Sequence, residues 1–480
     1  MSIILYTALT ALITYLLYTH IIHPLFLHPL HSIPPAHPTA ALSSHWIYFH
    51  RRGGSQALSA ITAAHARHGP IVRLSPTEIS VATYAAAKIV YVDRGGFAKP
   101  KWWAEEFITF GVKNMVSMEG GVADKRHARR KRDHGSVYAK TALLGEGKLE
   151  RIAKQVLGTL VERLDDLVER EEGTMDVFNF NGAVNADFVS AYLFGRAGST
   201  SFVEKVVERD EYFRHHGLFL RGEDTETEGL TWLEKMAKRY CEAVEKEEKG
   251  ENENAVVYMQ LKSRGVEGDE LASELLDHFI AGAEAPRTTL TYLQWELCRN
   301  PRIQGRLRQE LQTLSPSNSS HVKVPNLKKL DTLPLLDAVL TETLRLYTPT
   351  PGPQHRITPP EGANIERHFI PGGTKISASL GVLHQREKVF SEAGSWKPER
   401  WITDDGKKLE EMRRWFWAFS KGSRTCVGKD FTLIVMKLII FTIYARYSTE
   451  IVEDEKMAPT DRFLVQPEGE KLVLMFSKAF

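Results

Sequence analysis

Cysteine is scarce in this chain: its 480 residues contain only Cys241, Cys298 and Cys426. Such an odd and sparse count offers no disulfide framework, so each cysteine has to be judged by its neighbours. A large excess of one charge is also lacking, because the formal net charge is +2, and nucleic-acid binding is not indicated. With 42% hydrophobic and 25% charged residues, the composition excludes a disordered or collagen-like chain and favours a globular protein.

The first 50 residues contain no Lys, Arg, Asp or Glu, and the first charged side chain is that of Arg51. This segment contains an apolar run of about 20 residues, Ile3 to Ile22, long enough to cross a bilayer as a helix. No basic segment precedes the run and no A-x-A-like site follows it, so a membrane anchor over residues 1–27 is favoured over a cleaved secretory signal. The prolines of residues 28–50 predict an extended hinge. Residues 51–480 show no repeat or long low-complexity linker, which indicates one domain.

Helical periodicity dominates the long segments of that domain, as in Leu271 to Leu297. Strand patterns are short, and they fit a small sheet built from distant parts of the chain. The four strand patterns are PIVRLS near Pro70, EISVAT near Glu78, FIPGGTKISAS near Phe369 and KLVLMF near Lys471. The sequence therefore predicts a mainly α fold with a minor β part, in the α+β class.

The motif FSKGSRTCVG, Phe419 to Gly428, surrounds a cysteine with residues suited to a flat metal cofactor. Gly422 and Gly428 let the backbone turn closely beneath such a group, Phe419 covers the sulfur, and Arg424 offers a bidentate partner for a carboxylate. Nearby donors and positive charge lower the pKa of a thiol, so Cys426 is expected to be the axial ligand of a haem iron. The alternative is a glycine-rich loop around a free cysteine.

The spacing F-x-x-G-x-R-x-C-x-G resembles the haem-binding signature of the cytochrome P450 family, a highly specific ten-residue pattern. The resemblance covers nearly the whole chain, and the anchor with its HPLHSIPP segment is similar to those of fungal microsomal members. It implies a single large helical domain behind a transmembrane anchor, with haem b (iron protoporphyrin IX) as cofactor. It also implies a single-pass location in the endoplasmic reticulum membrane, with the catalytic domain in the cytoplasm.

Two further motifs match the family's Glu-Arg-Arg triad. Glu342 and Arg345 in ETLR share one helix face at i and i+3, a pairing that is common on helix surfaces. The segment KPERW supplies Arg400. The resemblance implies that Glu342, Arg345 and Arg400 form a structural triad that locks the haem-side core.

Basic residues elsewhere match positions where the family binds haem propionates. Arg356 in PGPQHRITPP is one, with an exposed loop arginine as the alternative. His127 and Lys131, which share a helix face at i and i+4, stand at the two substituted positions of the family's W-x-x-x-R pattern. The remaining arginines of this basic run are candidates for docking an acidic reductase. They are Arg129, Arg130 and Arg132.

The segment HFIAGAEAPRTT departs from the family pattern A-G-x-[DE]-T-[TS], in which an acid and a threonine organise proton delivery. Gly282 and Glu284 match, whereas Ala285 and Pro286 stand in place of the hydroxyl residues. Pro286 has no N–H, so it frees the Gly282 carbonyl and predicts a helix kink.

Thr288 and Thr289 lie about one turn beyond Ala285. Our hypothesis is that Glu284 delivers protons through water held by the Gly282 carbonyl and Thr288 or Thr289. The alternative is that both threonines only cap or pack the helix. The sequence indicates the substrate contacts less clearly, because packing in the core would explain the same aromatic residues equally well. The positional candidates are Trp102, Trp103, Phe107, Phe110, Phe279, Ala283 and Pro351 to Pro353.

The resemblance implies a haem-thiolate monooxygenase that uses O2 to oxidise a small hydrophobic substrate, in fungal secondary metabolism rather than a dedicated sterol step. Because the chain has no G-x-G-x-x-G fingerprint, its electrons are expected to come from NADPH through a separate flavoprotein reductase. Two alternatives remain. One is desaturation, ring formation or isomerisation on the same haem, and the other is a haem-binding membrane protein without turnover.

Overall fold

The computed structural model describes residues 2–52, 57–121, 124–145, 147–170, 173–221, 228–247, 254–314 and 324–479. The helices are α1 Ser2–Leu17, α2 His45–Arg52, α3 Ala57–His68, α4 Tyr84–Tyr91, α5 Lys101–Glu105, α6 Arg126–Gly135, α7 Lys140–Gly145, α8 Lys148–Glu169, α9 Val177–Phe194, α10 Val206–Arg221, α11 Glu228–Lys246, α12 Val256–Ser263, α13 Gly268–Arg299, α14 Pro301–Gln312, α15 Leu327–Asp331, α16 Pro334–Leu346, α17 Leu380–His384, α18 Gly406–Trp415 and α19 Lys429–Tyr444. The strands are β1 Ile71–Ser75, β2 Glu78–Val81, β3 Thr174–Asp176, β4 Arg356–Ile357, β5 Ala363–Ile365, β6 His368–Ile370, β7 Lys375–Ser377, β8 Tyr447–Glu453 and β9 Val473–Lys478. The prediction of a mainly α fold with a minor β part is confirmed.

Helix α13 runs through the main hydrophobic core. It contains the whole periodic segment from Leu271 to Leu297, and Asp269 and Glu270 in its first turn favour its start through the helix dipole. Its most extensive contact is with α9, a helix that is buried along almost its entire length. The helix continues through Pro286 although that residue lacks a backbone N–H.

The strand patterns belong to three sheets instead of one. Strands β1, β2, β7 and β4 form a four-stranded sheet in that order, with β2 and β7 parallel. The KLVLMF pattern gives β9, which pairs with β3 and β8 in a second sheet, and the Phe369 pattern also supplies β6 of a two-stranded hairpin. The interpretation of one small sheet is wrong because strand patterns give no information about which distant strands pair.

Within the described residues, one helical stretch, Ile3–Leu27, is long and apolar enough to span a membrane. None of its most apolar part is buried against the rest of the protein. It fits a membrane anchor, although a signal sequence near the N-terminus has the same properties. The segment predicted as a hinge packs on the domain, since Leu30 and Ile33 are buried and the Arg73 N–H of β1 donates to the Pro34 carbonyl at 2.8 Å. A domain boundary at residue 51 stays a prediction.

Candidate active site

The Cys426 loop is folded back on itself just before α19. The Cys426 N–H donates to the Phe419 carbonyl at 2.9 Å, and the Thr425 N–H donates to the Gly422 carbonyl at 3.2 Å. Gly422 has φ +75°, and a side chain there would collide with the Tyr91 carbonyl. Gly422 is therefore required by the turn and by the close approach of α4.

A cavity opens beside the loop, with walls from α6, α9, α13, α19 and β4. Cys426 lies deep in the protein, and its side chain is exposed to this cavity. Gly428 also lines it, and a Cβ there would meet only the Thr432 Oγ1 at 3.9 Å, so the space beside Gly428 is open. The lining residues include Lys99, His127, Lys131, Val189, Asp277, His278, Ala281, Gly282, Arg356 and Arg424.

The thiol of Cys426 has its pKa raised, contrary to the expectation from its neighbours. Burial is the largest cause, and it outweighs the backbone N–H of Gly428 and the positive charges of Lys131 and Lys429. Those groups favour the thiolate but do not by themselves produce it. A metal ion at the sulfur would displace the proton.

Besides His278, five basic side chains line the cavity, and Asp277 is the acidic residue among its described lining residues. Burial is the main cause that lowers the pKa of all five, and repulsion between them adds to the effect at several. The pKa of His127 falls to about 3 and that of Arg424 to about 9. Such a surplus of buried donors fits a group that brings two carboxylates and a metal, as haem does. The five residues are Lys99, His127, Lys131, Arg356 and Arg424.

The basic residues differ in how their donors are used. Lys131 Nζ donates to the carbonyls of Ser423 at 2.8 Å and Thr425 at 2.7 Å, so it ties α6 to the cysteine loop. Arg424 donates to the carbonyls of Met115 and Met118. These bonds hold the Cys426 loop against α6 and against the segment that contains Met115 and Met118.

Arg356 is buried, with an exposed fraction of 3%, so it is not an exposed loop arginine. Its guanidinium carbon lies 4.9 Å from the centre of the Tyr91 ring, and Nη1 donates to the His355 carbonyl at 2.7 Å. Arg356 also lines the Cys426 cavity.

Glu342, Arg345 and Arg400 meet in a buried cluster on the loop side of the core. Arg345 donates from Nε and Nη2 to the two carboxylate oxygens of Glu342 at 2.9 and 2.8 Å, and Arg400 Nε donates to Oε1 at 2.9 Å. The Lys397 N–H and Trp401 Nε1 donate to the same carboxylate. Arg345 also donates to three carbonyls of the segment before α18, which fixes that segment against α16. Their residues are His384, Ala393 and Ser395.

Gly282 lies in the wall of the cavity, where α13 and α9 come very close. A Cβ on residue 282 would be 2.6 Å from Cγ2 of Val189, which lines the same cavity. Ala281 is its neighbour in the cavity lining. The sequence pattern predicts a role for the Gly282 carbonyl, and the close packing on Val189 is a second reason for glycine at this position.

Glu284 lies outside this cavity, in a neighbouring one formed with α10 and the segment around Arg462. Its carboxylate oxygens are 3.1 Å from His216 Nδ1 and 3.2 Å from Arg287 Nη1. Burial alone would raise the pKa of Glu284, but the charges of Arg287 and His216 outweigh it and hold the pKa at about 2. Arg287 therefore stabilises the ionised form of Glu284 in a buried ion pair.

The two threonines have other partners. Thr288 Oγ1 donates to the Val465 carbonyl at 2.6 Å, and Thr289 Oγ1 donates to the Ala285 carbonyl at 3.1 Å. The structure thus does not bring their hydroxyls together with Glu284 in one cavity. The proton route through these residues stays a prediction.

Asp277 is a cavity residue that sequence analysis missed. It lies seven residues before Glu284 on α13, and it faces the Cys426 cavity instead of the neighbouring one. Burial raises the pKa of Asp277 to about 6 against the opposing charge of Lys99. Its spacing to Ala281, i and i+4, was the available signal, because it places both residues on one helix face.

Aromatic side chains of the predicted substrate loop form a cluster with the C-terminal part of the chain. The ring of Trp103 packs 5.5 Å from those of Phe107 and Phe463, and Phe107 packs 5.5 Å from Phe463. Phe463 also lines the cavity that contains Glu284. These three rings form an aromatic cluster, whereas Phe279 and Ala283 are packed in the main core.

One assignment in the basic run of α6 is wrong. Arg130 is buried, with an exposed fraction of 8%, and it pairs with Glu270 and Glu274 of α13, so it cannot dock a reductase. Arg129 and Arg132 are exposed and remain docking candidates. Arg130 lies on the face of α6 that α13 covers, whereas Arg129 and Arg132 do not. The sequence of α6 alone does not show which of its faces is covered.

The cysteine loop ahead of α19, the basic cavity and the long helix along its wall fit the class of proteins that bind haem through a cysteine. The chain belongs to the cytochrome P450 family, whose model, described as Cytochrome P450, matches residues 35–475. It is 28% identical to the cytochrome P450 monooxygenase avaI of Aspergillus versicolor over 392 residues, covering 78% of this chain and 94% of that protein.

Two further relatives are also named cytochrome P450 monooxygenases. The monooxygenase aneF of Aspergillus aculeatus is 25% identical over 505 residues, covering 97% of this chain and 98% of the relative. The monooxygenase asqL of Emericella nidulans is 34% identical over 209 residues, covering 42% of each chain. The prediction of a cytochrome P450 monooxygenase, an oxidoreductase, is confirmed.

Proposed function

We propose that this protein inserts one atom of O2 into a small hydrophobic molecule of fungal secondary metabolism, while the other atom leaves as water. The reaction consumes O2, two electrons and two protons for each product. The observation that carries this proposal is the cavity that brings Cys426 together with a surplus of buried basic residues.

Haem b is the proposed cofactor. Cys426 would hold the iron, Arg424, Arg356 and His127 would face the propionates, and Lys131 would keep the cysteine loop in place through its two carbonyl contacts. Phe419 shapes the loop through its carbonyl bond to the Cys426 N–H. When bound, a haem with a thiolate ligand supplies cleavage of the O–O bond.

Proton delivery has two candidate acids. The sequence pattern assigns it to Glu284 with Gly282 and Thr288 or Thr289. The geometry favours Asp277, because it lies in the Cys426 cavity and its pKa of about 6 allows it to hold and release a proton near neutral pH. We propose that Asp277 passes protons into the cavity and that Glu284 fixes Arg287 in the wall of the neighbouring one.

Electrons are proposed to come from NADPH through a separate flavoprotein reductase. The exposed Arg129 and Arg132 on α6 supply positive charge for an acidic partner. The apolar stretch Ile3–Leu27 would anchor the protein in the endoplasmic reticulum membrane, with the domain on the cytoplasmic side. The aromatic cluster of Trp103, Phe107 and Phe463 is the proposed contact for a hydrophobic substrate dissolved in that membrane.

The first experiment compares the purified wild type with Cys426→Ala. The reduced, carbon-monoxide-bound wild type is expected to show the red-shifted band of a thiolate-ligated haem, and the variant is expected to lose it. A wild-type spectrum without that band would contradict the haem-thiolate proposal.

The second experiment compares metabolites of the host that expresses each protein, by untargeted accurate-mass analysis. Insertion of oxygen predicts that the variant accumulates a precursor one oxygen lighter than the lost product. Precursor and product that differ by two hydrogens would support desaturation or ring formation instead, and equal masses would support isomerisation. Ala285, in place of the family's threonine, is the observation that favours this second candidate function.

A further inference from the structure

We propose that His134 of α6 and Glu274 and His278 of α13 form a binding site for a divalent transition-metal ion, separate from the cysteine-ligated cofactor. The ion belongs to the class of Zn²⁺, Fe²⁺ and Co²⁺, which accept two imidazoles and one carboxylate as ligands. This site does not depend on the proposed monooxygenase reaction.

The three side chains converge in the interior. Their ligand atoms lie within 4.8 Å of one another, and His134 Nε2 is 3.8 Å from Glu274 Oε2. Glu274 and His278 are four residues apart on α13 and so share one face of that helix. His134 reaches them from α6, and its ring centre lies 4.5 Å from that of His278.

The atoms that point inward lack hydrogen-bond partners. His134 Nε2, Glu274 Oε2 and His278 Nε2 are all buried and unsatisfied. Such atoms lose their bonds to water without compensation, which destabilises the folded protein. A single ion between the three side chains would explain all three unsatisfied atoms together.

The outward atoms of the same side chains are held in place. His134 Nδ1 is 2.8 Å from the Arg130 carbonyl, which can only accept, so this nitrogen carries the proton and leaves a lone pair on Nε2. His278 Nδ1 is 2.9 Å from the Tyr138 hydroxyl, and Arg130 donates to Glu274 Oε1, which leaves Oε2 free. Contacts of this kind orient the ligands of metal sites.

Only small movements are needed to close the site. Ligands bound to one Zn²⁺ at ~2.0–2.1 Å in tetrahedral geometry lie roughly 3.4 Å apart, compared with a largest separation of 4.8 Å here. His278 also lines the Cys426 cavity, which gives a fourth ligand such as water a place beside the ion. Burial keeps both histidines neutral by lowering the pKa of each, so their lone pairs are available.

The test uses the full-length, haem-loaded protein, stripped with a chelator and then dialysed against Zn²⁺. By elemental analysis, we expect the wild type to bind one more Zn²⁺ per haem than either His134→Ala or Glu274→Gln. Competition with a chelating dye is expected to give an affinity at least about a hundredfold weaker in each variant. Haem content and the carbon-monoxide spectrum check that each variant is folded, and Glu274→Gln keeps the side-chain shape if the alanine variant does not fold.

His65→Ala is the matched control. His65 is also buried, but both of its ring nitrogens are bonded, to the Gly69 carbonyl at 2.9 Å and to Ser80 Oγ at 2.8 Å. This variant is expected to bind as much Zn²⁺ as the wild type. Equal Zn²⁺ binding by the wild type and both site variants would place the ion elsewhere, for instance on the histidines before Arg51, and would overturn the proposal. A wild type that binds no Zn²⁺ would overturn it as well.

Discussion

Gly282 of α13 and Val189 of α9 approach so closely that a methyl group on residue 282 would lie 2.6 Å from a methyl carbon of the valine. Both residues line the Cys426 cavity. Valine is stiff in a helix, so it cannot turn away without strain. We expect Gly282→Ala to lower the free energy of unfolding by about 1–3 kcal/mol, measured by urea unfolding of the haem-loaded protein.

The control for this prediction is Gly158→Ala in α8, where a Cβ would meet no atom within 4 Å. That change is expected to stabilise the protein by about 1 kcal/mol, since alanine is the better helix former. If both alanine variants gain stability, the close packing of α13 on α9 does not limit residue 282.

Glu342 accepts hydrogen bonds from both arginines of the buried triad, and its exposed fraction is 0%. Glu342→Gln removes the negative charge and leaves two buried guanidinium groups uncompensated. We expect a loss of about 3–5 kcal/mol in the free energy of unfolding, together with reduced haem retention after purification.

Glu399→Gln is the matched control for the triad. Glu399 lies close to the triad in sequence, but it is exposed and pairs with Arg306 at 3.0 Å. Its change is expected to cost less than about 1 kcal/mol. Similar losses in the two variants would show that the charge of Glu342 is not what stabilises this region.

His384 is fully buried and accepts a hydrogen bond at Nε2 from the Trp417 N–H at 2.8 Å. Burial and then the charge of Arg345 lower the pKa of His384 from 6.5 to about 3. Below pH 6.5 the unfolded chain therefore binds a proton that the folded chain excludes. Stability is lost as the pH falls from 6.5 toward 3, by about 1.4 kcal/mol per pH unit for this histidine.

The measurement is urea unfolding of the wild type and His384→Gln at pH 7 and at roughly pH 5.5, within the window that the lowered pKa defines. The variant is expected to be less stable at pH 7, because its partners lose bonds, but to show a smaller drop on acidification. His45→Gln, at an exposed position, should keep the wild-type drop. An unchanged drop in His384→Gln would contradict the assignment.

Asp277 and Glu284 can be separated by their effect on electron use. Asp277→Asn removes the acid of the Cys426 cavity, so we expect NADPH oxidation to continue while product per NADPH falls at least about tenfold and peroxide rises. Glu284→Gln is expected to change this ratio less and to act mainly on stability, because it leaves Arg287 without its buried partner. A larger loss of product per NADPH in Glu284→Gln than in Asp277→Asn would support Glu284 as the proton donor instead.

Local patterns predicted the parts of the site that one segment builds alone. The cysteine loop lies within ten residues, and Glu342 with Arg345 lies within one helical turn, so spacing was enough to place them. Helix α13 was also predicted to within a few residues, because its buried face leaves a long apolar periodicity.

The site features that the sequence did not predict depend on which helices pack against each other. Arg130 is buried because α13 supplies two carboxylates to it, and Glu284 turned away from the Cys426 cavity because α10 supplies His216. Asp277 was overlooked because the family motif begins four residues later. None of these contacts can be derived from the neighbouring sequence, since each joins residues far apart in the chain.

The Glu-Arg-Arg cluster has a consequence for how this protein can diverge. Each of Glu342, Arg345 and Arg400 is tolerated in the interior only because the other two are present. Any single replacement passes through a destabilised intermediate, so the cluster can be exchanged only by several changes at once. Residues of the aromatic cluster, such as Trp103 and Phe463, do not depend on one another in this way. We therefore expect descendants of this sequence to acquire new substrates many times before they lose the triad.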